Sequence, residues 1–373
     1  MRIVLNTRSD DAGSRVCILT LGARLNEHGV DAAVNDWGRY DQYDVAVFMG
    51  YDHELEAARR ENPGIKVVLA DPKLSRPEWI AAARSADLLL VSSLEQRDVF
   101  VGLNRNVLVH HMFPAMPARE RRHAEGKRVV IAYHGNRVHL ESMASGARSA
   151  IEELARRRAV EFRAVYDLRG LGRARLGLPA GELDVREIQW ETDPWDALAD
   201  ADIGIVPTEL PLDRRLDALE LTALPEPVLN YEPFDHLVRF KASANPGRLF
   251  PFARLGIPVV VDFVPSLSQF VDDGVSGFVA SSPAGWLYAL ERLADSAELR
   301  ASMAAALRKR LDAVYEQQVP SLLQALELAR PPSPVGLVGR HAENELARLS
   351  RYPRFRPPLR RRLAWRVRRG LRR

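Results

Sequence analysis

The segment whose residue types point most clearly to chemistry lies just before an apolar stretch in the second half of the chain. It reads Arg239-Phe240-Lys241-Ala242-Ser243-Ala244-Asn245-Pro246-Gly247-Arg248. Asn is favoured as a helix cap and Pro at the first helical position, so a helix is predicted to begin near Gly247. Its free N–H groups, with Lys241 and Arg248 beside them, would bind a diphosphate and stabilise it as a leaving group. A capped core helix with two surface cations is the alternative.

A second candidate turn follows the apolar run 128–133 and reads His134-Gly135-Asn136-Arg137. Gly135 would let the backbone approach a ligand closely, because glycine carries no side chain. Asn136 would supply a hydrogen bond and Arg137 a cation. The turn matches no phosphate-loop fingerprint, and an ordinary tight turn explains it equally well.

Two further loops of the second half are candidates for the donor side of a site. Gln189 and Trp190 end a predicted strand, where they could hold a nucleobase by backbone hydrogen bonds and stacking. Trp190 fits a core position equally well. Thr208 opens a long, proline-punctuated segment that extends to Phe240, and an excursion of that length is usually functional or mobile.

The first predicted strand is followed by a polar loop, residues 6–14, which carries Arg8, Asp10 and Asp11. The two aspartates are either caps of the next helix, which is the commoner use, or polar groups that face a substrate. All three side chains are candidates for the acceptor side of a cleft.

Asp71 ends the fourth predicted strand at the cleft edge, where a carboxylate could accept a proton from an acceptor hydroxyl. His110 and His111 follow the last strand of the first half without a third ligand nearby, which favours satisfied boundary histidines over a metal site. The single cysteine, Cys17, excludes a disulfide framework and a multi-cysteine metal site. We therefore expect no metal.

Short apolar runs alternate with amphipathic stretches through both halves of the chain. This pattern is typical of parallel sheets that helices cover on both faces. The predicted fold class is α/β, with two Rossmann-like doubly wound parallel-sheet domains that face a cleft, a standard place for a nucleotide-type ligand. The predicted parts are an acceptor-side domain at 1–115, a linker at 116–127, a nucleotide-binding domain at 128–320, helices at 321–350 that pack back towards the first domain, and a basic tail at 351–373.

The composition is that of a globular protein, because 46% of the residues are hydrophobic and 27% are charged. No run of about 18 apolar residues is present, which argues against a transmembrane helix. The N-terminus lacks a hydrophobic export region. We therefore expect a cytoplasmic protein.

The net charge of +4 conceals a strong asymmetry along the chain. Residues 351–373 contain eleven arginines and no acidic residue, so residues 1–350 carry 42 basic and 49 acidic residues. Leu359, Leu363, Val367 and Leu371 recur every four residues in this tail, a pattern that favours a basic amphipathic helix on an anionic membrane surface. A solvated arginine tail is the alternative. No nucleic-acid partner is expected, because the body is acidic.

Several short motifs follow one another in the second half. They are the helix start at 245–248, A-x-L-G-x-P-V-V at 253–260, G-x-x-G-F-V at 274–279, W-x-x-A-L at 286–290 and L-R-x-x-M at 299–303. Together they resemble the donor-nucleotide half of GT-B glycosyltransferases of the glycosyltransferase 4/group 1 family. The resemblance is clear from Ala201 to Met303 and extends loosely over residues 1–330. The pattern F-K-x-S-x-N-P-G-R, at 240–248, resembles a subgroup associated with bacterial surface polysaccharides.

The sequence departs from this family at two positions. Many members carry two glutamates eight positions apart, and Ser243 and Pro251 stand in their places here. The carboxylates that usually hold the donor sugar and the ribose are therefore missing, which leaves the sugar and the anomeric outcome open. Ser243 is kept as a donor-side candidate by position. Members often carry His or Asp where Asp71 falls, which implies a catalytic or acceptor-side role for Asp71.

The resemblance implies an enzyme that moves a hexosyl or related group from a nucleotide-diphosphate sugar to a glycan or lipid-linked acceptor. Lys241, Arg248 and the helix terminus would neutralise the diphosphate without a metal, and the nucleotide sugar would be a substrate, so no cofactor is expected. The basic tail would attach the enzyme to the inner face of the cell membrane. A catalytically inactive nucleotide-sugar-binding or scaffold protein, and a nucleotide-sugar epimerase on the same fold, are the alternatives.

Overall fold

The computed structural model describes residues 1–73, 76–136, 139–140, 143, 146–169, 177–191, 194–208 and 245–332. Within these ranges the chain forms two parallel six-stranded sheets, each with helices on both faces. The expected α/β fold class with two doubly wound domains is confirmed.

The first sheet has the strand order β2-β1-β3-β4-β5-β6. Its strands are β1 (Arg2–Asn6), β2 (Asp31–Val34), β3 (Val45–Met49), β4 (Lys66–Ala70), β5 (Leu88–Val91) and β6 (Val107–Val109). Alternate residues of these strands enter two separate apolar cores, one on each face, because successive side chains of a strand point in opposite directions. This two-sided burial is why the central strands β3 and β5 are apolar throughout, whereas the edge strands β2 and β6 are only partly buried.

The helices of the first domain connect these parallel strands. They are α1 (Ala12–Ser14), α2 (Leu21–Glu27), α3 (Leu55–Glu61), α4 (Pro77–Ser85) and α5 (Leu94–Phe100). A π-helical segment, Arg15–Thr20, joins α1 to α2. The three pieces form one continuous helix that follows the first strand and its loop. Such segments are rare and often lie at functional sites.

The second sheet has the order β12-β11-β10-β7-β8-β9. Its strands are β7 (Arg128–His134), β8 (Ala159–Tyr166), β9 (Asp184–Gln189), β10 (Ile203–Val206), β11 (Val259–Asp262) and β12 (Phe278–Ala280). The helices are α6 (Ala147–Ala155), α7 (Leu249–Leu255), α8 (Pro265–Ser268), α9 (Pro283–Asp295) and α10 (Ala297–Leu328), with short 3₁₀ turns at Tyr40–Gln42, Trp195–Ala197 and Pro246–Arg248.

Helix α10 connects the two domains. Leu307 and Leu311 pack into the core of the second domain, whereas Leu322 and Leu326 pack into the core of the first. The helix continues through Pro320, so the domain boundary predicted at residue 320 falls inside a single helix. Among the described residues, no helix has both the length and the apolar composition needed to cross a membrane.

Tight packing between α7 and β10 generates a first prediction. A Cβ atom added at Gly204 would lie 2.6 Å from ring carbons of the buried Phe252. We expect Gly204→Ala to lower the free energy of unfolding by about 1–3 kcal/mol, because the ring has no room to move. Urea denaturation measures this change.

Gly285→Ala, in the first turn of α9, is the matched control. Its added Cβ would meet atoms only at 3.4–3.9 Å, so stability should stay level or rise by about 0.4–1 kcal/mol. Equal unfolding midpoints for the Gly204 variant and the wild type would contradict the packing described here.

Candidate functional site

The strand order of the second sheet reverses at β7. From β7 the chain proceeds outward through β8 and β9 on one side, and through β10, β11 and β12 on the other. A crevice forms beyond the carboxyl ends of strands where the order reverses in this way, and ligands of doubly wound folds bind there. The turn after β7 and the turn after β10 form the two sides of this crevice.

The segment 245–255 begins a helix beside the crevice, as predicted. The Asn245 side chain accepts a 2.7 Å hydrogen bond from the N–H of Gly247, and Pro246 occupies the first position of the 3₁₀ turn. This turn leads directly into α7. The predicted cap is therefore confirmed. Lys241 and Ser243 lie outside the described residues.

Arg248 extends its side chain across the crevice. Its Nη1 donates a 2.5 Å hydrogen bond to the Pro207 carbonyl after β10, and its Cζ lies 5.7 Å from the ring centroid of Tyr133 in β7. The half-buried guanidinium thus lies over the carboxyl ends of both central strands.

Gly135 makes this position of Arg248 possible. Its φ is +127°, and a Cβ atom there would lie 2.6 Å from Cδ of Arg248. The backbone therefore approaches a cation closely at this turn, and any larger residue would displace that cation. Asn136 is exposed, and its carbonyl accepts a 2.6 Å hydrogen bond from the Tyr133 hydroxyl. Arg137 lies outside the described residues.

The His134 side chain contacts the backbone of Arg248. Its Nε2 lies 2.8 Å from the Arg248 carbonyl oxygen, and its ring lies 5.8 Å from Trp190 and 5.0 Å from Phe252. Burial lowers the pKa of His134 to about 3, so the neutral imidazole donates to that carbonyl at neutral pH. His134 belongs to the predicted turn but was given no role there, although its place directly before Gly135 was a usable signal.

Gln189 and Trp190 are held by local packing. The Gln189 side chain accepts a 2.9 Å hydrogen bond from the Leu168 N–H and donates at 2.7 Å to the Trp190 carbonyl. Trp190 is half-buried against His134 and Trp195, which is the core position expected as its alternative. These residues form the side of the crevice nearest β9.

Thr208 continues the other side of the crevice. Its hydroxyl and its N–H both donate to Oδ2 of Asp262, a buried carboxylate at the end of β11. The hydroxyl-to-carboxylate distance is 3.1 Å. This pair fixes the backbone next to Pro207, the residue that accepts from Arg248.

Asp71 lies at the carboxyl end of β4 in the first domain. It adopts a φ of +49°, which is unusual for a residue with a side chain, and its Oδ2 lies 2.5 Å from Nζ of Lys73. Burial raises the pKa of Asp71, and the Lys73 ammonium opposes that shift only in part. A carboxylate whose pKa is raised is a stronger base than an exposed aspartate.

The three polar residues of the first loop all have partners within the first domain. Asp11 accepts a 2.8 Å hydrogen bond from the Ser14 N–H, so it caps α1, the commoner of its two expected uses. Burial would raise the pKa of Asp11, but hydrogen bonds from Ser9, Ser14 and Tyr51 outweigh it and the pKa is lowered. Asp10 pairs with a neighbouring arginine.

Arg8 is held against the first domain rather than free to reach across the cleft. Its guanidinium bonds to Asp52 at 2.8 Å and to Glu54, and it lies 3.8 Å from the ring centroid of Trp37. An acceptor-side role for Arg8 remains a prediction, and its observed contacts are structural.

Two contacts between the domains were not foreseen from the sequence. The Met112 sulfur lies 3.3 Å from Nδ2 of Asn245 and 3.2 Å from Sγ of Cys17. The buried Glu95 carboxylate accepts a 2.9 Å hydrogen bond from the N–H of Ser266 at α8. The first domain therefore lies directly against the helix start at Asn245, and the candidate site is the cleft between both domains.

Buried histidines generate a second prediction, on pH dependence. Burial lowers the pKa values of His110 and His134 to about 3 and of His111 to about 4. In the unfolded chain these histidines have the ordinary histidine pKa of about 6.5, so below that pH the unfolded state binds more protons than the folded state. Acidification must therefore destabilise the fold. Each neutral histidine should cost about 2 kcal/mol of stability between pH 7.5 and pH 5.

Urea unfolding at these two pH values measures the effect. His134→Asn should show a smaller loss on acidification than the wild type, whereas His28→Asn, at an exposed position, should show the wild-type loss. The same acid dependence in all three proteins would contradict burial of a neutral His134.

Known proteins resemble this chain in structure rather than in sequence. Neither a protein-family model nor a curated protein sequence matches it. HepE from Anabaena, solved with UDP and glucose, is 14% identical and aligns over 87% of this chain and 99% of its own, with a TM-score of 0.52. The lipopolysaccharide outer core galactosyltransferase WaaB, in its apo form, is 11% identical over 87% of this chain and 99% of its own, with a TM-score of 0.50.

A third similar structure is a mutant of TarM from S. aureus, solved with fondaparinux, alpha-GlcNAc-glycerol and UDP. It is 11% identical and aligns over 75% of this chain and 55% of its own, with a TM-score of 0.50. At these identities the likeness concerns the fold. The chain has the two-domain GT-B fold of these glycosyltransferases.

Proposed function

We propose that this protein is a glycosyltransferase that transfers a sugar from a nucleoside-diphosphate sugar to a glycan or lipid-linked acceptor in the synthesis of a bacterial surface polysaccharide. The observation that carries this proposal is the position of Arg248. Its guanidinium lies over the crevice between β7 and β10, next to a capped helix start that faces the first domain.

This geometry suits a diphosphate. A guanidinium has five N–H donors, so its bond to Pro207 leaves capacity for a bidentate contact with phosphate oxygens. The N–H of Gly247 already donates to the Asn245 side chain, so the helix start would act on the diphosphate through the positive end of its dipole. Arg248 fills the space at Gly135, so the second phosphate would lie on the open side of the guanidinium, near the exposed Asn136.

Residues outside the described ranges complete the proposed donor site. Lys241 would add a second cation, Arg137 a third, and Ser243 a hydroxyl near the sugar. Thr208, Gln189 and Trp190 would shape the sides of the crevice. Since cations and the helix terminus stabilise the leaving diphosphate, we propose that the transfer requires no metal.

The acceptor would bind on the first domain near Asp71. The new glycosidic bond forms at the anomeric carbon as its bond to the phosphate oxygen breaks, and the acceptor hydroxyl releases its proton. Asp71 would take that proton, because its raised pKa makes it a better base than an exposed aspartate. Asp11, with Arg8 and Asp10 nearby, would hold in place the loop that forms this side of the cleft.

The similar structures suggest which donor to test first. HepE is solved with UDP and glucose, and the TarM mutant with UDP. UDP-glucose and related UDP-sugars are therefore the first donors to offer this protein. WaaB is named as a lipopolysaccharide outer core galactosyltransferase, which agrees with the proposed class of acceptor.

Removal of the cations tests the donor site. Arg248→Ala should lower the rate of transfer by about 10²-fold or more, since each donor that stabilises the developing charge contributes about 3 kcal/mol or more. Lys241→Ala should have a comparable effect. Release of UDP from UDP-sugars in the presence of glycan acceptors measures turnover, and circular dichroism checks the fold.

Arg292→Ala is the control, because Arg292 is an exposed cation on α9 that bonds to Tyr288. It should retain wild-type transfer. Wild-type turnover in Arg248→Ala would show that the diphosphate binds elsewhere. Tight binding of UDP-sugars without any turnover by the wild type would instead indicate a binding or scaffold protein.

We also propose that the basic tail attaches the enzyme to the inner face of the cell membrane. Residues 351–373 lie outside the described residues, so the proposal depends on their eleven arginines and on the regular spacing of three leucines and one valine. Each basic residue near an anionic surface contributes about 1 kcal/mol of attraction. A lipid-linked acceptor would lie on that surface.

Deletion of residues 351–373 should therefore release the protein from vesicles that contain an anionic phospholipid. Sedimentation with those vesicles is the measurement, and vesicles of neutral phosphatidylcholine are the control. The proposal fails if the truncated protein sediments with anionic vesicles as well as the full chain does.

A further inference from the structure

Helix α8 of the second domain begins without a cap of its own. The residue before it, Val264, has no polar side chain, and Pro265 at its first position has no N–H. The first N–H of the helix that needs an acceptor therefore belongs to Ser266, which is almost fully buried. Because a buried N–H without an acceptor is costly, the acceptor must come from elsewhere in the molecule.

The first domain supplies this acceptor. Oε1 of Glu95, in the first turn of α5, accepts a 2.9 Å hydrogen bond from the Ser266 N–H. Glu95 is only 6% exposed and has no cationic partner among the described residues. Phe270, two residues after α8, packs on the ring of His111 from the first domain at a centroid distance of 4.7 Å. A helix of one domain is thus capped by a carboxylate of the other.

The turn before α8 continues into the proposed donor site. Asp262, at the end of β11, lies four residues before Ser266. Its Oδ2 accepts from both the N–H and the hydroxyl of Thr208. The neighbouring Pro207 carbonyl accepts the 2.5 Å hydrogen bond from Arg248. A short series of contacts therefore connects the capped helix to the cation that would bind the diphosphate.

The cap contact suits a state that a ligand can favour or disfavour. If the domains parted, water would solvate both the Glu95 carboxylate and the Ser266 N–H. When they meet, in what we call the capped state, the two groups satisfy each other. Oε2 of Glu95 and Oγ of Ser266 are also buried there and lack a partner among the described residues, which lowers the net gain. A ligand can shift such a modest preference.

Building on the proposed function, we propose that Glu95 is a positioning residue of the donor site, although it belongs to the other domain. By capping α8 it holds the turn 262–266 in place. This turn holds Thr208 and the Pro207 carbonyl that orients Arg248. The guanidinium therefore keeps its phosphate-binding position only in the capped state. A nucleoside diphosphate and the capped state favour each other, since coupling between two sites is reciprocal.

Binding of UDP to the full-length protein tests this proposal, because Glu95 is not among the residues proposed to contact UDP. Glu95→Leu removes the acceptor and should weaken UDP binding about tenfold in calorimetry, within the range of about 5–150-fold that is usual for coupled sites. Glu95→Gln keeps an amide oxygen for the Ser266 N–H, so it should bind UDP within about threefold of the wild type.

Asp98→Leu is the matched control, because Asp98 is an exposed acid on the same helix. It should bind UDP as the wild type does, and urea denaturation checks that each protein is folded. Equal UDP affinity in Glu95→Leu and the wild type, or no recovery in Glu95→Gln, would overturn the proposal and leave the donor site intact. Failure of UDP to bind the wild type would contradict the proposed donor site and, with it, this inference.

Hydrogen exchange provides a readout that general destabilisation would not reproduce. Peptides covering residues 264–270 should exchange about fivefold more slowly in the wild type when UDP is saturating, because UDP would favour the capped state. In Glu95→Leu the same peptides should exchange faster and respond little to UDP. Exchange in the wild type that UDP leaves unchanged would overturn the coupling, even if Glu95→Leu failed to fold.

Discussion

The arrangement of the cleft depends on one cation, the Arg248 guanidinium, which lies where the strand order of the second sheet reverses between β7 and β10. Arg248 must lie close to the carboxyl ends of β7 and β10 to serve both sides of the crevice, and Gly135 provides the space. His134 holds the backbone of Arg248 from below as a neutral donor. A planar guanidinium with a fixed fork of donors suits this place better than a lysine ammonium would.

The second requirement is that the first domain be held against this cation. Met112 contacts the cap residue Asn245, and the buried Glu95 carboxylate accepts from the Ser266 backbone. Helix α10 adds a covalent constraint, because its two ends belong to the cores of different domains. The helix continues through Pro320, although proline usually breaks a helix, since packing supports it on both sides.

Periodicity in the sequence predicted most of the fold. The central apolar runs of both halves form strands that are buried on both faces, and a helix begins at Asn245 and Pro246, as their residue types favour. Strand β12 was not recognised, because its three residues follow the turn at Gly277 and are too few to show a period. The π-helical segment has no comparable signal in composition.

The candidate site could be predicted only in part. Arg248, Gly135 and Asp71 follow strand ends or begin a helix, so their positions depend on local sequence and on the rules of the parallel sheet. His134, Met112 and Glu95 act through contacts with residues far away in the chain, such as Asn245 and Ser266. The contacts of Met112 and Glu95 exist only once the two domains are placed against each other, and that of His134 only once the second domain has folded.

A crystal structure of the protein soaked with UDP tests the central claim most directly. The terminal phosphate should lie within hydrogen-bond distance of the Arg248 guanidinium and next to the helix start at 245–248. A UDP molecule bound away from the crevice between β7 and β10, or one whose diphosphate faces away from Arg248, would contradict the account.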